Sequence, residues 1–426
     1  MSKIAILGYG VEGQSTARYF GEKAEIDIID DKKSDAKAWP QSWAEYDLVF
    51  RSPGIHPFRP ELPQGLSRTK LTSQMEYFLE KCPAPIIGVT GTKGKGTTSS
   101  LIQKMLENDG RKCFLGGNIG LAPLDFLDEV KEEDWVVLEV SSFQAFDLKK
   151  SPKYAVILMV TSEHLDYHHD QEEYVQAKAG LVKNQNSQDF CIYHQDFPNS
   201  KLIADFSPGQ KIPFSPLNPN LISAYLKDNA LYYQDQFLLH TKEFALIGEH
   251  NYNNILASAS LAKQLGVSNA AIIKTLQNFS GLPLRLEKMG EGKGITYIND
   301  SFSTTPETAI AAIKAFPRQN VAVLLGGSNK NSDYTELGEV IAKSPLVQAY
   351  CFGEMAQAIA EKIQLAGGEN FQILPHLSEA FVEAQKYLTD KFGVLLLSPA
   401  CASFDEFTNY KERGKYFQNL SESACS

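Results

Sequence analysis

Three groups of residues in this chain have the types and spacing to do chemistry. The first is Gly91-Thr92-Lys93-Gly94-Lys95-Gly96-Thr97, set between an apolar run, Ile86–Thr90, and a helical stretch reaching Met105. Glycines there let backbone N–H groups turn inward around phosphate oxygens, a helix N-terminus adds a favourable field, and Lys95 adds a point charge. The common spacing GxxxxGK[ST] would put Gly at 89 and a hydroxyl at 96. This chain has Val89 and Gly96, so Thr97, one place on, is the candidate for the Mg2+-side hydroxyl. The second group is Glu139, closing Val136-Val137-Leu138-Glu139, and His164 in Thr161-Ser162-Glu163-His164-Leu165-Asp166. Both read as strand ends on one sheet edge, where open α/β sheets bind ligands. A carboxylate there can hold Mg2+ opposite the phosphates, and His164 suits a metal or phosphate role. The third is Gly8-Tyr9-Gly10-Val11-Glu12-Gly13, a GxGxxG pattern with Asp30 one strand later. Taken alone it is the dinucleotide fingerprint of an NAD-dependent dehydrogenase, a reading that leaves the Lys95 loop unexplained.

The elements that must carry these groups alternate between strand and helix. Lys3–Leu7, Glu25–Ile29 and Asp47–Phe50 read as strands, with a helix from the glycine turn to about Gly21 and another over Ser73–Lys81. Pro83-Ala84-Pro85 breaks the chain. Strands follow at Ile86–Thr90, Trp135–Val140 and Ala155–Val160, then a helix over Tyr174–Lys183. Pro208–Asn220 reads as loop, Ala230–Tyr233 as a short strand, and Asn251–Leu265 as a helix with Ala and Leu at helical spacing. Beyond Gly281-Leu282-Pro283, strands at Thr296–Ile298, Val321–Leu325, Ala349–Phe352 and Val394–Leu397 alternate with helical stretches. The expected class is α/β in three domains: a Rossmann-like domain over 1–85, a central ATPase-type domain with a parallel or mixed sheet over 86–281, and a second Rossmann-like domain over 282–426.

At 426 residues the chain exceeds one ordinary domain, and 43% hydrophobic with 22% charged residues is a soluble composition. A net charge of −10 argues against a nucleic-acid or polybasic membrane binder, so an anionic ligand must be held locally. No apolar run is long enough to span a bilayer, and the N-terminus reads as a strand rather than a signal peptide. Six scattered cysteines without a CxxC pair indicate neither a zinc site nor a disulfide framework, consistent with a cytoplasmic protein.

These residues, together with Gly117-Asn118-Ile119-Gly120, Leu138-Glu139-Val140-Ser141-Ser142-Phe143-Gln144, Glu249-His250-Asn251, Asn299-Asp300-Ser301 and Ser398-Pro399-Ala400-Cys401-Ala402-Ser403, resemble the Mur ligase family of ATP-dependent amide ligases. The resemblance runs over essentially the whole chain. It implies addition of D-glutamate to UDP-N-acetylmuramoyl-L-alanine through an acyl phosphate, in peptidoglycan-precursor synthesis. By this resemblance Gly91, Thr92, Lys93, Gly94, Lys95, Gly96, Thr97, Asn251, Asn254, Arg285 and Asp300 would bind ATP. Thr97, Glu139, His164 and a CO2-derived carbamate on Lys178 would hold two Mg2+ ions (Mn2+ being an alternative), with Lys95, His164 and Lys178 as the catalytic set. Gly10, Val11, Glu12, Asp30, Asp31, Ser52, Pro53, Gly54, Asn118 and Ser141 would bind the UDP-sugar, and Ser303, Thr304, Lys330, Ser403, Phe404 and Tyr410 the amino acid. The expected partners are small molecules (UDP-MurNAc-L-Ala, glutamate and ATP), with no nucleic acid, no membrane insertion and a monomeric chain. One departure stands out: D-glutamate enzymes of the family usually carry Lys after Asp-Ser, and this chain has Phe302, a pattern closer to ligases that add L-glutamate. The Gly94–Thr97 run also resembles folylpolyglutamate synthetases, which lack the UDP-binding domain that residues 1–85 would supply.

Overall fold

The computed structural model describes residues 1–33, 35–40, 42–62, 70–164, 167–217 and 222–425. Leu165 and Asp166 of the His164 motif, and 218–220 of the expected loop, lie outside the described residues. Its contacts divide the chain into two compact units, one of Met1–Phe244 with Tyr252–Asn278 and one of Ala245–Asn251 with Phe279–Ser426.

The first unit opens with strands β1 (Ser2–Leu7), β2 (Ala24–Ile29), β3 (Leu48–Arg51) and β4 (Leu71–Thr72), a parallel sheet ordered β2-β1-β3-β4. Helix α1 (Val11–Phe20) follows the glycine turn, and α2 (Gln74–Lys81) is capped by Ser73, whose hydroxyl accepts from Glu76 N. The second sheet uses β5 (Ile86–Thr90), β6 (Cys113–Gly117), β7 (Trp135–Glu139), β8 (Tyr154–Ile157), β9 (Phe190–His194) and β10 (Gln210–Phe214). All its pairs are parallel, in the order β10-β9-β8-β5-β7-β6. Parallel strands need crossovers, supplied here by α3 (Lys95–Asn108), α4 (Ser142–Ala145), α5 (Gln171–Ala179) and α6 (Pro198–Asp205). One apolar core runs through both sheets, joining Ile4, Phe50 and Phe78 to Ile86, Phe126 and Leu138. A small antiparallel sheet of β11 (Ala224–Lys227), β12 (Ala230–Tyr233) and β13 (Gln236–His240) follows, and α7 (Tyr252–Gln264) and α8 (Asn269–Asn278) close the unit against α3.

The second unit holds β14 (Glu287–Gly292), β15 (Ile295–Asn299), β16 (Val321–Gly326), β17 (Val347–Phe352), β18 (Phe371–Leu374) and β19 (Gly393–Leu397), ordered β14-β15-β19-β16-β17-β18 with only β14 antiparallel. Successive strand residues feed opposite faces: Ile298, Val323 and Leu396 pack with α9 (Pro306–Lys314), α10 (Thr335–Ala342) and α11 (Ala356–Leu365), while Tyr297, Leu324 and Leu397 pack with α12 (Leu377–Thr389) and α13 (Tyr410–Cys425).

Three local expectations need correction. Part of the stretch read as loop, Gln210–Phe214, is strand β10. The strand expected to reach Val160 ends at Ile157, so His164 stands six residues beyond the strand's next position rather than at its end. The helix expected from Tyr174 starts at Gln171 and stops at Ala179, before Gly180.

Candidate active site

The Lys95 loop leaves the middle of the parallel sheet at Thr90 and enters α3 at Lys95. Gly94 caps α3 at φ 87, in the left-handed region that favours glycine, and a Cβ there would have to displace the Asn254 side-chain oxygen 2.2 Å away. Thr92 N donates to Met159 O at 2.7 Å, and its hydroxyl meets Tyr174 OH at 3.0 Å and accepts from Thr161 N at 3.0 Å. The Lys95 ammonium lies over the loop, donating to Gly91 O and Thr92 O, each at 3.0 Å. Lys93 pairs with Glu163 at 2.7 Å. Gly96 and Thr97 occupy the first turn of α3, with Thr97 buried, and Thr98 Oγ1 donates to Asn254 Oδ1 at 3.2 Å.

Glu139 is buried at the end of β7, with Asn118 Nδ2 donating to its Oε1 at 2.6 Å and Asn118 N to its carbonyl at 2.9 Å. Ser141 caps α4: its Oγ accepts from Gln144 N, while Ser141 N donates to Gln144 Oε1 at 2.9 Å. The Gln144 amide then donates to Glu12 Oε1 at 2.5 Å, tying this turn to the glycine turn of the first sheet. His164 has φ 60 and a half-exposed ring 4.9 Å from Phe143, with Nε2 3.7 Å from Glu163.

Lys178 is 1% exposed. Its amine donates to Gly91 O at 3.0 Å and, at 3.5 Å, to Thr90 Oγ1, and sits 4.6 Å from the Tyr174 ring. Burial, then repulsion from Lys95, holds its pKa well below the ordinary value, against a smaller pull from Glu163 and Glu139. A lowered pKa favours the unprotonated amine, the form that adds CO2, so the site fits a carbamate. The hard oxygens of Thr97 and Glu139 fit Mg2+, which keeps several waters and takes one or two carboxylates beside substrate phosphates. Among the described residues there is no cluster of three or more His, Cys, Asp or Glu able to hold a metal.

The glycine turn of the first sheet opens on a cavity of about 490 Å3 lined by Gly10, Val11, Glu12, Asp30, Asp31, Ser52, Pro53 and Gly54, all anticipated from sequence. Asp30 is turned back on the loop, accepting from Tyr9 N at 2.6 Å and Lys32 N at 2.8 Å. Asp31 accepts from Trp39 Nε1 and Arg59 Nη2, each at 2.7 Å, and those two donors hold its pKa down. Arg59 stacks over Trp39 at 4.7 Å. Neither Trp39 nor Arg59 was anticipated, because both come from irregular stretches without periodicity, on either side of β3. Ser52 donates to Gly8 O at 2.8 Å, and Tyr167 OH to Pro53 O at 2.8 Å.

In the second unit, Asp300 follows β15 and is buried, accepting from Ser398 Oγ at 2.7 Å and Leu286 N at 3.2 Å; burial raises its pKa to about 6. Ser303 N donates to Asp300 O, and Lys330 Nζ reaches Thr304 Oγ1 at 3.2 Å. Ser403 is buried, whereas Phe404 is exposed with its N–H on Ser328 Oγ. Arg285 lies over the Phe302 ring, which meets Tyr410 edge-on. Asn251 sits in a short helical turn, Glu249–Asn251, with Nδ2 on Ile247 O at 2.7 Å. Arg413, not anticipated at all, is wholly buried and donates to Ser301 Oγ and O, Cys401 O and Ala402 O at 3.0–3.1 Å. It pins the Asp300 loop to the Ser403 loop, and burial lowers its pKa to about 10.

Two family models match the chain: the Mur ligase middle domain over residues 89–262 and the Mur ligase, glutamate ligase domain over 284–401. The UDP-N-acetylmuramoylalanine--D-glutamate ligase of Geobacillus kaustophilus is 32% identical over 98% of this chain and 96% of its own length. Among solved structures, the UDP-N-acetylmuramate-alanine ligase MurC of Thermotoga maritima superposes with a TM-score of 0.63 at 18% identity, covering 99% of this chain and 100% of that one. The MurF ligase of the same organism, solved in complex with ADP, gives 0.62 at 18% identity over 89% and 90%. At that identity both speak for the fold alone, whereas the full-length relative speaks for descent: the chain belongs to the Mur ligase family.

Proposed function

We propose that this protein is an ATP-dependent ligase that joins D-glutamate to UDP-N-acetylmuramoyl-L-alanine in peptidoglycan-precursor synthesis. The observation that carries the reading is the grouping of Lys95, buried Glu139 and buried Lys178 around one phosphate loop. The name of the Geobacillus kaustophilus relative supports glutamate and its D form. In this reading residues 1–85 bind the UDP-sugar, 86–281 bind ATP, and 282–426 bind the amino acid. The chain acts as a cytoplasmic monomer on small molecules.

The chemical problem is that a carboxylate is a poor electrophile and repels ATP. Lys95 and the N–H groups of the Gly91–Thr97 loop, other than that of Thr92, which Met159 O already takes, bind the transferring phosphoryl and offset that repulsion. The substrate carboxylate takes the γ-phosphoryl, giving an acyl phosphate and ADP. The glutamate amine then attacks the acyl carbon, inorganic phosphate leaves, and the amine's proton passes to solvent or phosphate. Asn118 holds Glu139 in place, and His164 orients the carboxylate or ligates metal. Thr97, Glu139, His164 and carbamylated Lys178 would hold two Mg2+ or Mn2+ ions, which supply charge neutralisation when bound. The Lys178 amine, in its unprotonated form, would give that carbamate by adding CO2 and releasing one proton. Asn254 supports the nucleotide loop, with Asn251, Arg285 and Asp300 as further ATP contacts. Ser303, Thr304, Lys330, Ser403, Phe404 and Tyr410 receive the amino acid. The pyrophosphate of the sugar nucleotide meets the N–H groups of Gly10, Val11 and Glu12, beside Asp30, Asp31, Ser52–Gly54 and Ser141.

Phosphate release, measured with UDP-MurNAc-L-Ala, ATP and a panel of D- and L-amino acids, tests the reading. Release is expected with D-glutamate and lost in Lys95→Ala. Release only with L-glutamate would transfer the assignment to an L-adding ligase, and unchanged turnover in Lys95→Ala would remove the phosphate loop from the mechanism.

A further inference from the structure

Phe302 is 39% exposed, so its ring is not there to fill the core. One face carries the Arg285 guanidinium, with Cζ 3.7 Å from the ring centroid, and the ring meets Tyr410 edge-on at 5.1 Å. The backbone beneath Arg285 is fixed on several sides. Leu284 N donates to Glu287 Oε2 at 2.8 Å, Leu286 N to Asp300 Oδ1 at 3.2 Å, and Phe302 N to Leu284 O at 3.1 Å. Leu284 and Leu286 both have positive φ, 62 and 47, a conformation side-chain-bearing residues rarely adopt and one these bonds maintain. The main chain on either side of Arg285 is therefore set, and the Phe302 ring meets its side chain. An arginine that must be ordered on binding loses rotamer entropy at that moment; one already stacked on a ring has lost it beforehand.

We propose that Phe302 is a positioning residue, a platform that holds the Arg285 guanidinium ready for the phosphates of the nucleotide. The proposal rests on the reading of Arg285 as an ATP contact. It assigns the side chain at 302 to the nucleotide end of the second unit's site and not to discrimination of the amino acid.

The test is calorimetric binding of ATP with Mg2+ to the full-length chain, which needs no turnover. Phe302→Leu, which keeps apolar bulk without a π face, is expected to weaken ATP by about 2- to 30-fold, the range a cation–π contact commands. Phe302→Tyr is expected to restore binding to within twofold, and Phe302→Leu to add nothing to Arg285→Met. In the phosphate-release assay the KM for glutamate is expected to stay unchanged in Phe302→Leu while that for ATP rises. If Arg285→Met weakens ATP but Phe302→Leu does not, or if the two losses multiply, the platform is refuted and the ATP reading survives. If Arg285→Met binds ATP like the parent, the ATP reading of Arg285 falls and the proposal with it. A raised glutamate KM in Phe302→Leu with unaltered ATP affinity would place the ring in the amino-acid site instead.

Discussion

Glu12 sits where the glycine turn enters α1, with Oε1 bonded to Gln144 and Oε2 buried without a hydrogen bond. Burial, opposed by the Gln144 bond and the nearby Arg51 charge, lifts its pKa from 4.5 to about 7. Between those values the native state binds a proton that the unfolded chain does not. Stability therefore falls as pH rises through this window and levels off above about 7. The full swing is about 3 kcal/mol. Glu12→Gln keeps an acceptor for Gln144 and removes the titration, so its unfolding free energy in urea is expected to lose this slope and to exceed the parent's at pH 8. Parallel pH profiles for the two proteins would count against a buried, protonated Glu12. This contact also marks the limit of what single residues disclose in a sequence. Gly94, Lys95 and Glu139 were legible because a phosphate loop and a strand-terminal carboxylate are local patterns. The Glu12–Gln144 bond spans 132 positions, and Arg413 reads as an ordinary helix-surface cation until the Cys401, Ala402 and Ser301 carbonyls close around it.

At the scale of elements, α4 and α5 place Ser141, Gln144 and Lys178, and they meet where Gly180 follows α5. A Cβ at Gly180 would lie 1.8 Å from Ala145 O, a backbone atom that cannot rotate away. Gly180→Ala must therefore push the two helices apart, and it is expected to cost about 3 kcal/mol or more, at the upper end of overpacking penalties. Gly110→Ala is the control: its Cβ would meet nothing, although its φ of 83 carries a strain of about 1 kcal/mol. Comparable thermal midpoints for the two variants would show that the helix contact relaxes more easily than its geometry implies. The same helix illustrates how element boundaries escape sequence reading. Asp170 caps α5 through Glu173 N, but the first turn, Gln171–Glu173, is polar, so apolar periodicity detects it only from Tyr174. Strand β10 was hidden by Pro213, which is tolerated because β10 is an edge strand needing a ladder bond on one side only. Buried central strands such as β5, β7 and β16 were legible as apolar runs, since both faces are covered.

At the scale of the whole molecule, the chain does not traverse its two units in simple succession. After β13 it passes through Ala245–Asn251, which belongs to the second unit, and returns as Tyr252–Asn278 to complete the first. That returning segment is not an accessory. Its helices α7 and α8 pack on α3, the helix of the phosphate loop, burying Ile255, Leu256, Leu261, Ile272 and Leu276. Polar ties run beside them: Thr98 to Asn254 at 3.2 Å, Asn108 to Thr275 at 2.9 Å, Arg111 to Leu265 O at 2.9 Å, and Ser268 N to Asp109 at 3.0 Å. At about 1.5–3 kcal/mol for each large apolar side chain, those five alone account for roughly 7–15 kcal/mol, as much as the whole net stability of a typical domain. A fragment of residues 1–244 is therefore expected to be unable to fold, leaving Leu101, Ile102, Met105 and Leu106 of α3 without their cover, whereas a fragment of 1–278 is expected to unfold cooperatively. Circular dichroism melts and limited proteolysis of the two fragments measure the difference. A 1–244 fragment with the same midpoint as 1–278 would mean that the two sheets of the first unit sustain α3 by themselves, and that α7 and α8 serve the nucleotide through Asn254 rather than the fold.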